Sequence, residues 1–309
     1  MVLTKLYHSK SDLTKAHIQM HLSILLWGIT GILGKSILLN EGLLVWYRLI
    51  IVSVSLAIAI YFSGHSFKIG KRNVWRLSKV GVMLMLHWIC FYGAIKYANV
   101  SITLSLLAST SLFTALLEPM MTKKKFDKSE LLYSSLAILG ISLIFYSDTN
   151  DYTVGIFLAI MAAFLGAFFN ILNKNIVQEF KSSVVSFYEI TSGLVVLTLL
   201  LPVYLYFFPT EKLLPSANDW MLLVVLAVLC THVTLILSLN ALKHLSAFTL
   251  NLAINLEPVY GIALAFLFFG ENKYLNEGFF IGAAIIMCGV VFHAVQTNRK
   301  TKSLNTANP

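Results

Sequence analysis

The chain is short of charge. Of its 309 residues 12% are Asp, Glu, Lys or Arg, against about 25% in an ordinary soluble domain. It is also short of cysteine. Cys90, Cys230 and Cys288 stand singly inside apolar runs, with no C-x-x-C, which argues against a disulfide framework or a zinc site. No H-E-x-x-H joins its histidines, so a metal centre is not expected. It has no Walker A sequence, which argues against ATP-driven pumping by this chain, and no polar stretch long enough for a soluble domain. The net charge is +9, but no basic patch is interleaved with exposed aromatics, so nucleic acid is not an expected partner. No cofactor motif is present.

What the chain has is apolar length. Fifty-eight per cent of it is hydrophobic and the mean hydropathy is +0.79. The apolar residues fall in runs of about 20, enough to cross a hydrocarbon layer of roughly 30 Å. Ten such segments are predicted, at 18–38, 43–62, 79–96, 100–122, 130–147, 153–173, 184–208, 219–241, 246–269 and 275–296. Runs this long must be helices, because every backbone group in lipid has to be satisfied internally. The fold class read here is therefore an all-α integral membrane protein, with the lipid bilayer as its first partner. The run from Ile18 is longer than a signal-peptide core and lacks a cleavage site, so it is read as a retained span.

Orientation follows from the basic residues. With the N-terminus cytoplasmic, all but Lys35, Arg48, Lys96, Lys212 and Lys273 of the 23 lysines and arginines fall on the cytoplasmic side. Both termini are then inside. Residues 1–17 form a cytoplasmic segment, and 297–309 a cytoplasmic tail expected to be disordered.

The halves look duplicated. "WGITGILGKSI" resembles "GAFFNILNKNI" and places Lys35 on Lys174, an offset of 139. "AIKYANVS" resembles "ALKHLSAF" and places Lys96 on Lys243, an offset of 147. The offsets rise along the chain, as loop insertions would make them. Two five-span repeats, 18–147 and 153–296, are expected. An odd number of spans per repeat inserts them in opposite directions, an architecture that puts a transport site near the midplane. The 147 register also sets Thr110 opposite Glu257. It follows that the Glu-Pro pairs at Glu118 and Glu257 are not one motif repeated.

"LLWGITGILGK", "FYGAIKYANVSITLSLL" and "ALKHLSAFTLNLAINLEPVYGIALAFLFFGE" carry a family resemblance. Together they resemble the EamA-type members of the drug/metabolite transporter superfamily, over about residues 18–296. The resemblance implies a ten-helix carrier of the bacterial inner, or plasma, membrane. It also implies a central cavity and, in many members, export of amino acids or related small metabolites.

The candidate pathway residues are the polar and aromatic groups within the spans. A charge at mid-bilayer costs roughly 2.5–3.5 kcal/mol on insertion scales, so an intramembrane acid is a candidate functional group. Glu257 is the most central acid and the candidate proton carrier, with a helix-fastening role as its alternative. Pro258 removes the hydrogen bond to the carbonyl of Ile254 and should bend the ninth span. Asn251 and Asn255 share a helix face, while Glu257 lies about 200° round from Asn255. Asn170, Tyr260, Trp27, His87, Trp88, Tyr92 and His232 complete the set. For the asparagines, interhelical bonding is the alternative; for the histidines and aromatics it is packing. Arg48 and Glu189 match in the repeat with opposite charge. Each lies only about 8 Å inside its own surface, so separate partners are expected. The leading function is secondary transport of a small molecule, with protons as a candidate coupling ion. A membrane-embedded enzyme and a receptor or scaffold are the alternatives. The enzyme lacks a nucleophile–base or metal set, and the receptor lacks a soluble domain.

Overall fold

The computed structural model describes residues 10–144, 152–257, 259–260 and 277–306, and these residues are helical with short connections. The helices are α1 (Lys10–Trp27), α2 (Thr30–Ser36), α3 (Glu41–Phe62), α4 (Lys71–Tyr97), α5 (Val100–Leu107), α6 (Ser109–Met121) and α7 (Lys128–Ile144). They continue with α8 (Thr153–Ile176), α9 (Ser182–Phe207), α10 (Ala217–Ala227), a π-helical turn (Val228–Val233), α11 (Thr234–His244), α12 (Ala247–Ile254) and α13 (Glu277–Thr306). Among the described residues seven segments are long and apolar enough to cross a membrane. Their outward side chains are large and apolar, such as Val54, Ile58, Leu199, Val203 and Leu229. In water such surface would be a liability; in lipid it is the solvated face.

Two boundaries differ from expectation. The described part of the first helix already covers Lys10–Trp27, reaching N-terminal of the expected span. The last helix runs on to Thr306. Residues 297–306 are thus helical rather than disordered. No glycine or proline follows Gly289 before Thr306, so nothing in the sequence stops the helix.

The helices that hold the centre are the interrupted ones. The first span breaks at Gly28–Ile29, where the Thr30 hydroxyl donates to the Trp27 carbonyl at 2.7 Å. The fourth breaks at Ala108. There the hydroxyls of Ser109, Thr110 and Ser111 donate to the carbonyls of Leu106, Leu107 and Ala108 at 2.6, 2.6 and 3.0 Å. Hydroxyls so placed compete with the helical ladder and replace the bonds that the break removes. The eighth span holds the π-turn, in which Thr231 Oγ1 donates back to the Leu226 carbonyl at 2.7 Å. α12 ends at Ile254, four residues before Pro258. Pro258 itself, and the bend expected there, lie outside the described residues.

The second offset match has counterparts in three dimensions. α4 ends at Tyr97 and α11 at His244. Asn99 caps α5 and Ser246 caps α12, each through its side-chain oxygen. α5 and α12 then run for 8 residues each before their breaks. Every one of these pairs is 147 residues apart (244 − 97, 246 − 99, 254 − 107).

Packing follows the same exchange. α4 lies on α8, and α11 on α1; α3 lies on α9, and α7 on α13. The directions can be read from side-chain neighbours. Gly34 abuts the Tyr92 ring, and the Leu39 carbonyl accepts from Lys96 Nζ, so α2 and α4 run the same way. His87 reaches the Ala162 carbonyl, Gly93 meets Leu158 and Gly155 meets Ala98, so α4 and α8 run oppositely.

Candidate functional site

A cavity opens where these interruptions converge. Its wall is built from α1, α3, α4, α8, the π-turn, α11 and α12, with α5, α6 and the residues after α12 closing it. About 100 Å³ is open to the centres of water-sized molecules; one water needs ~10–15 Å³ by that measure. The space suits several waters or a small metabolite.

Arg48 is its most unusual occupant. α3 carries it about two turns in from the Asn40 cap, and only 3% of it is exposed. Nε donates to Thr231 Oγ1 at 2.7 Å, and Nη1 donates to the Tyr92 hydroxyl at 2.8 Å. The guanidinium carbon sits 3.9 Å from the centre of the Trp88 ring, a cation–π distance. Among the described residues no carboxylate pairs with it. The π-turn is what aims Thr231 at Arg48. An extra residue in one helical turn often marks a functional site.

The remaining walls divide by chemistry. Trp27, Trp88, Phe91 and Phe169 give aromatic faces. Trp27 is held by its indole N–H, which donates to Thr234 Oγ1 at 2.9 Å. His87 Nδ1 lies 2.7 Å from the Ala162 carbonyl, and Gly166 leaves room for its ring. At the far wall Asn170 Nδ2 donates to Asn251 Oδ1 at 2.5 Å, and Asn251 Nδ2 donates to Thr114 Oγ1 at 2.7 Å. This chain ties α8, α12 and α6 together. Thr110 and Glu257, paired by the repeat register, line the same cavity.

Of the residues singled out in the sequence, Trp27, His87, Trp88, Tyr92, Asn170, Asn251 and Glu257 meet here. Three others point elsewhere. His232 Nδ1 lies 2.8 Å from Ser55 Oγ, Asn255 Nδ2 donates to Ser111 Oγ at 3.2 Å, and the Tyr260 hydroxyl lies 3.0 Å from His21 Nδ1. Asn255 follows the end of α12 at Ile254 and so leaves the face it would share with Asn251 in a continuous helix. Arg48, Thr231 and Thr234 line the cavity without having been singled out for it. Arg48 was read as a group near the outer surface. Its long side chain instead reaches inward, and the signal for that was its charge inside an apolar run. No group of three or more metal-ligating side chains occurs among the described residues.

An EamA-like transporter family model matches the chain twice, over residues 14–146 and 153–295. The chain belongs to the EamA-like transporter family. It is 23% identical over 301 residues to an uncharacterized transporter of Bacillus subtilis, YxxF, covering 94% of this chain and 93% of that one. It is 22% identical over 288 residues to an uncharacterized transporter of Haemophilus influenzae, covering 87% and 91%. One solved crystal structure shares the fold at a TM-score of 0.75 and 15% identity, over 93% of this chain and 98% of that one. This EamA-like chain is therefore a multi-pass membrane protein of a transporter family, and the cavity lies where its two family repeats meet.

Proposed function

We infer that the chain is a secondary transporter. It moves small metabolites such as amino acids across the bacterial inner membrane by alternating access, in the direction of export, and it is not an enzyme. The observation that carries this reading is the cavity itself. It sits between interrupted helices of both repeats, the arrangement in which carriers expose one central site to either side in turn. Ten spans in two inverted repeats fit the opposed directions of α4 and α8 together with the shared direction of α2 and α4. Both termini are cytoplasmic in this reading. Arg48 offers a bidentate-capable guanidinium to a substrate carboxylate, and the aromatic walls offer faces to its apolar part.

Glu257 is the proton-exchanging acid of the cavity in this reading. Glu257→Gln keeps shape and hydrogen-bonding reach but cannot exchange a proton. In proteoliposomes with an imposed pH gradient, the variant should still exchange substrate across the membrane, and the gradient should no longer accelerate it. The substrate comes from comparing metabolites inside and outside cells with and without this chain. A wild-type response to the gradient in Glu257→Gln removes Glu257 from coupling. No metabolite shifting with the chain's presence would sink the transport reading as a whole.

A further inference from the structure

A second polar cluster lies buried outside the cavity. Glu189 on α9 is fully buried, and neither carboxylate oxygen has a hydrogen-bond partner among the described residues. Ser186, one turn earlier on the same face, is likewise fully buried with an unpartnered hydroxyl. Asn173 on α8 is fully buried too, with neither its amide nitrogen nor its oxygen bonded. Asn173 is the one polar side chain that acts on Glu189, and it stops short of a complete hydrogen bond. None of the three lines the cavity.

Several charged and titratable groups on the packed elements have partners of their own. On α4, Arg76 pairs with Glu179, Lys79 lies over the Trp75 ring and His87 reaches Ala162. On α3, Arg48 bonds Thr231 and Tyr92, and Glu41 accepts from Tyr204. Lys174 of α8 donates to the carbonyls of Leu242 and Leu245. On α11, Lys243 and His244 lie in the last turn. On α9 itself, Tyr188 donates to the Phe67 carbonyl.

An ionised carboxylate sealed in this way would carry an uncompensated desolvation cost of several kcal/mol. A metal cation has little to hold it. Glu189 is the one carboxylate in the cluster, and no group of three or more His, Cys, Asp or Glu side chains occurs among the described residues. A proton needs only the carboxylate. The seam that seals the cluster is close: Gly81 of α4 touches the backbone of Glu189, and Gly193 of α9 meets Gly81 and Met85. α4 also carries His87, Trp88 and Tyr92 of the cavity.

We propose that Glu189, with Asn173 and Ser186, is a proton-binding site separate from the substrate cavity, sealed and released by movement of α4 against α9. In the sealed state one carboxylate oxygen holds the proton. When the seam admits water, the O–H bond breaks, the proton passes to water and the carboxylate is solvated. The substrate reading under Glu257 is not needed for this.

Hydrogen–deuterium exchange of the wild-type chain in lipid nanodiscs, measured as pH is raised, tests it without any substrate. Exchange in residues 78–88 and 184–193 should rise several-fold more with pH in the wild type than in Glu189→Gln at the same pH. If Glu189→Gln fails to fold, Glu189→Leu serves, since an apolar side chain of similar length suits a site that holds a neutral acid. Equal responses in wild type and variant overturn the proposal. So does a wild type with no pH response, which would leave an internal water as the cluster's partner. Reclosure of the seam by sodium but not potassium would also overturn it, in favour of a sodium site.

Discussion

Arg48 is a cation placed in an apolar helix without a counter-charge. A buried charge with no opposite partner is costly to the fold, so its retention points to use. Arg48→Gln should leave stability within about 1 kcal/mol of the wild type or raise it, because the amide can still reach Tyr92 or Thr231 without the charge penalty. Transport of a carboxylate-bearing substrate should fall more than tenfold. Thermal unfolding in detergent and proteoliposome uptake read the two effects separately; loss of stability with transport intact would show that Arg48 only braces the helices. Lys124 shows the opposite case, a cation in the loop after α6 that is fully engaged. It donates to Glu118 at 2.8 Å and to Glu130 at 2.6 Å. Burial works against its ammonium, but the two carboxylates outweigh burial and hold it above its ordinary 10.5. Its folded value being the higher, the stability it contributes is fully present below 10.5 and is lost only as pH rises past the folded value. Lys124→Met should therefore cost ~1–3 kcal/mol at neutral pH by leaving two buried carboxylates facing each other. In unfolding measured against pH, the deficit should shrink as pH rises past the raised value of Lys124, where the wild type loses the same charge; a deficit independent of pH would deny the pairing.

Among elements, α5 and α12 carry the clearest trace of duplication. Their caps and breaks recur at the offset that Lys96 and Lys243 already gave in the sequence. That register was legible in the Ala-x-Lys match alone; the structure adds that Asn99 and Ser246, at the same offset, both cap the helices that follow. The break at Ala108 was not legible. Three successive hydroxyl residues can sit in a helix or open one, and only their neighbours decide. The π-turn was equally hidden, since nothing in "VLCTHV" distinguishes one residue too many from a regular turn. Depth was the other loss: helical spacing fixes which residues share a face, but not whether a long side chain such as Arg48 points inward or towards the surface. The asparagines separate although helical spacing put them on one face, because α12 ends at Ile254, before Asn255. Asn251 joins α8 and α6, whereas Asn255 reaches only Ser111. Interhelical bonds in membranes average ≈ 0.6 kcal/mol each. Asn251→Ala, losing two and stranding Asn170 and Thr114, should cost about 1–2 kcal/mol, and Asn255→Ala less than half of that. Denaturation in mixed micelles would rank them, and a larger loss from Asn255→Ala would contradict the network.

For the whole molecule, the proposed inverted arrangement can be tested at two matched positions. Ser36 ends α2 and Asn175 lies in the last turn of α8; they are 139 residues apart (175 − 36), the offset of Lys35 and Lys174, and both are exposed. α2 runs with α4 and α4 runs against α8, so the first span of one repeat must run against the first span of the other. The excess of lysine and arginine assigns the sides: Asn175 lies beside Lys174 and Lys181 on the basic face, while Ser36 lies on the face of Asp219 and Glu211. In a background with Cys90, Cys230 and Cys288 replaced, Ser36→Cys in intact cells should react with an impermeant maleimide. Asn175→Cys should react only after the membrane is opened. If both react from outside, the two repeats are inserted in parallel and the central cavity loses the symmetry that alternating access requires. If the two labels exchange sides, the opposed insertion stands but the orientation set by the basic residues is reversed, and with it the face on which Lys124, Glu118 and Glu130 meet.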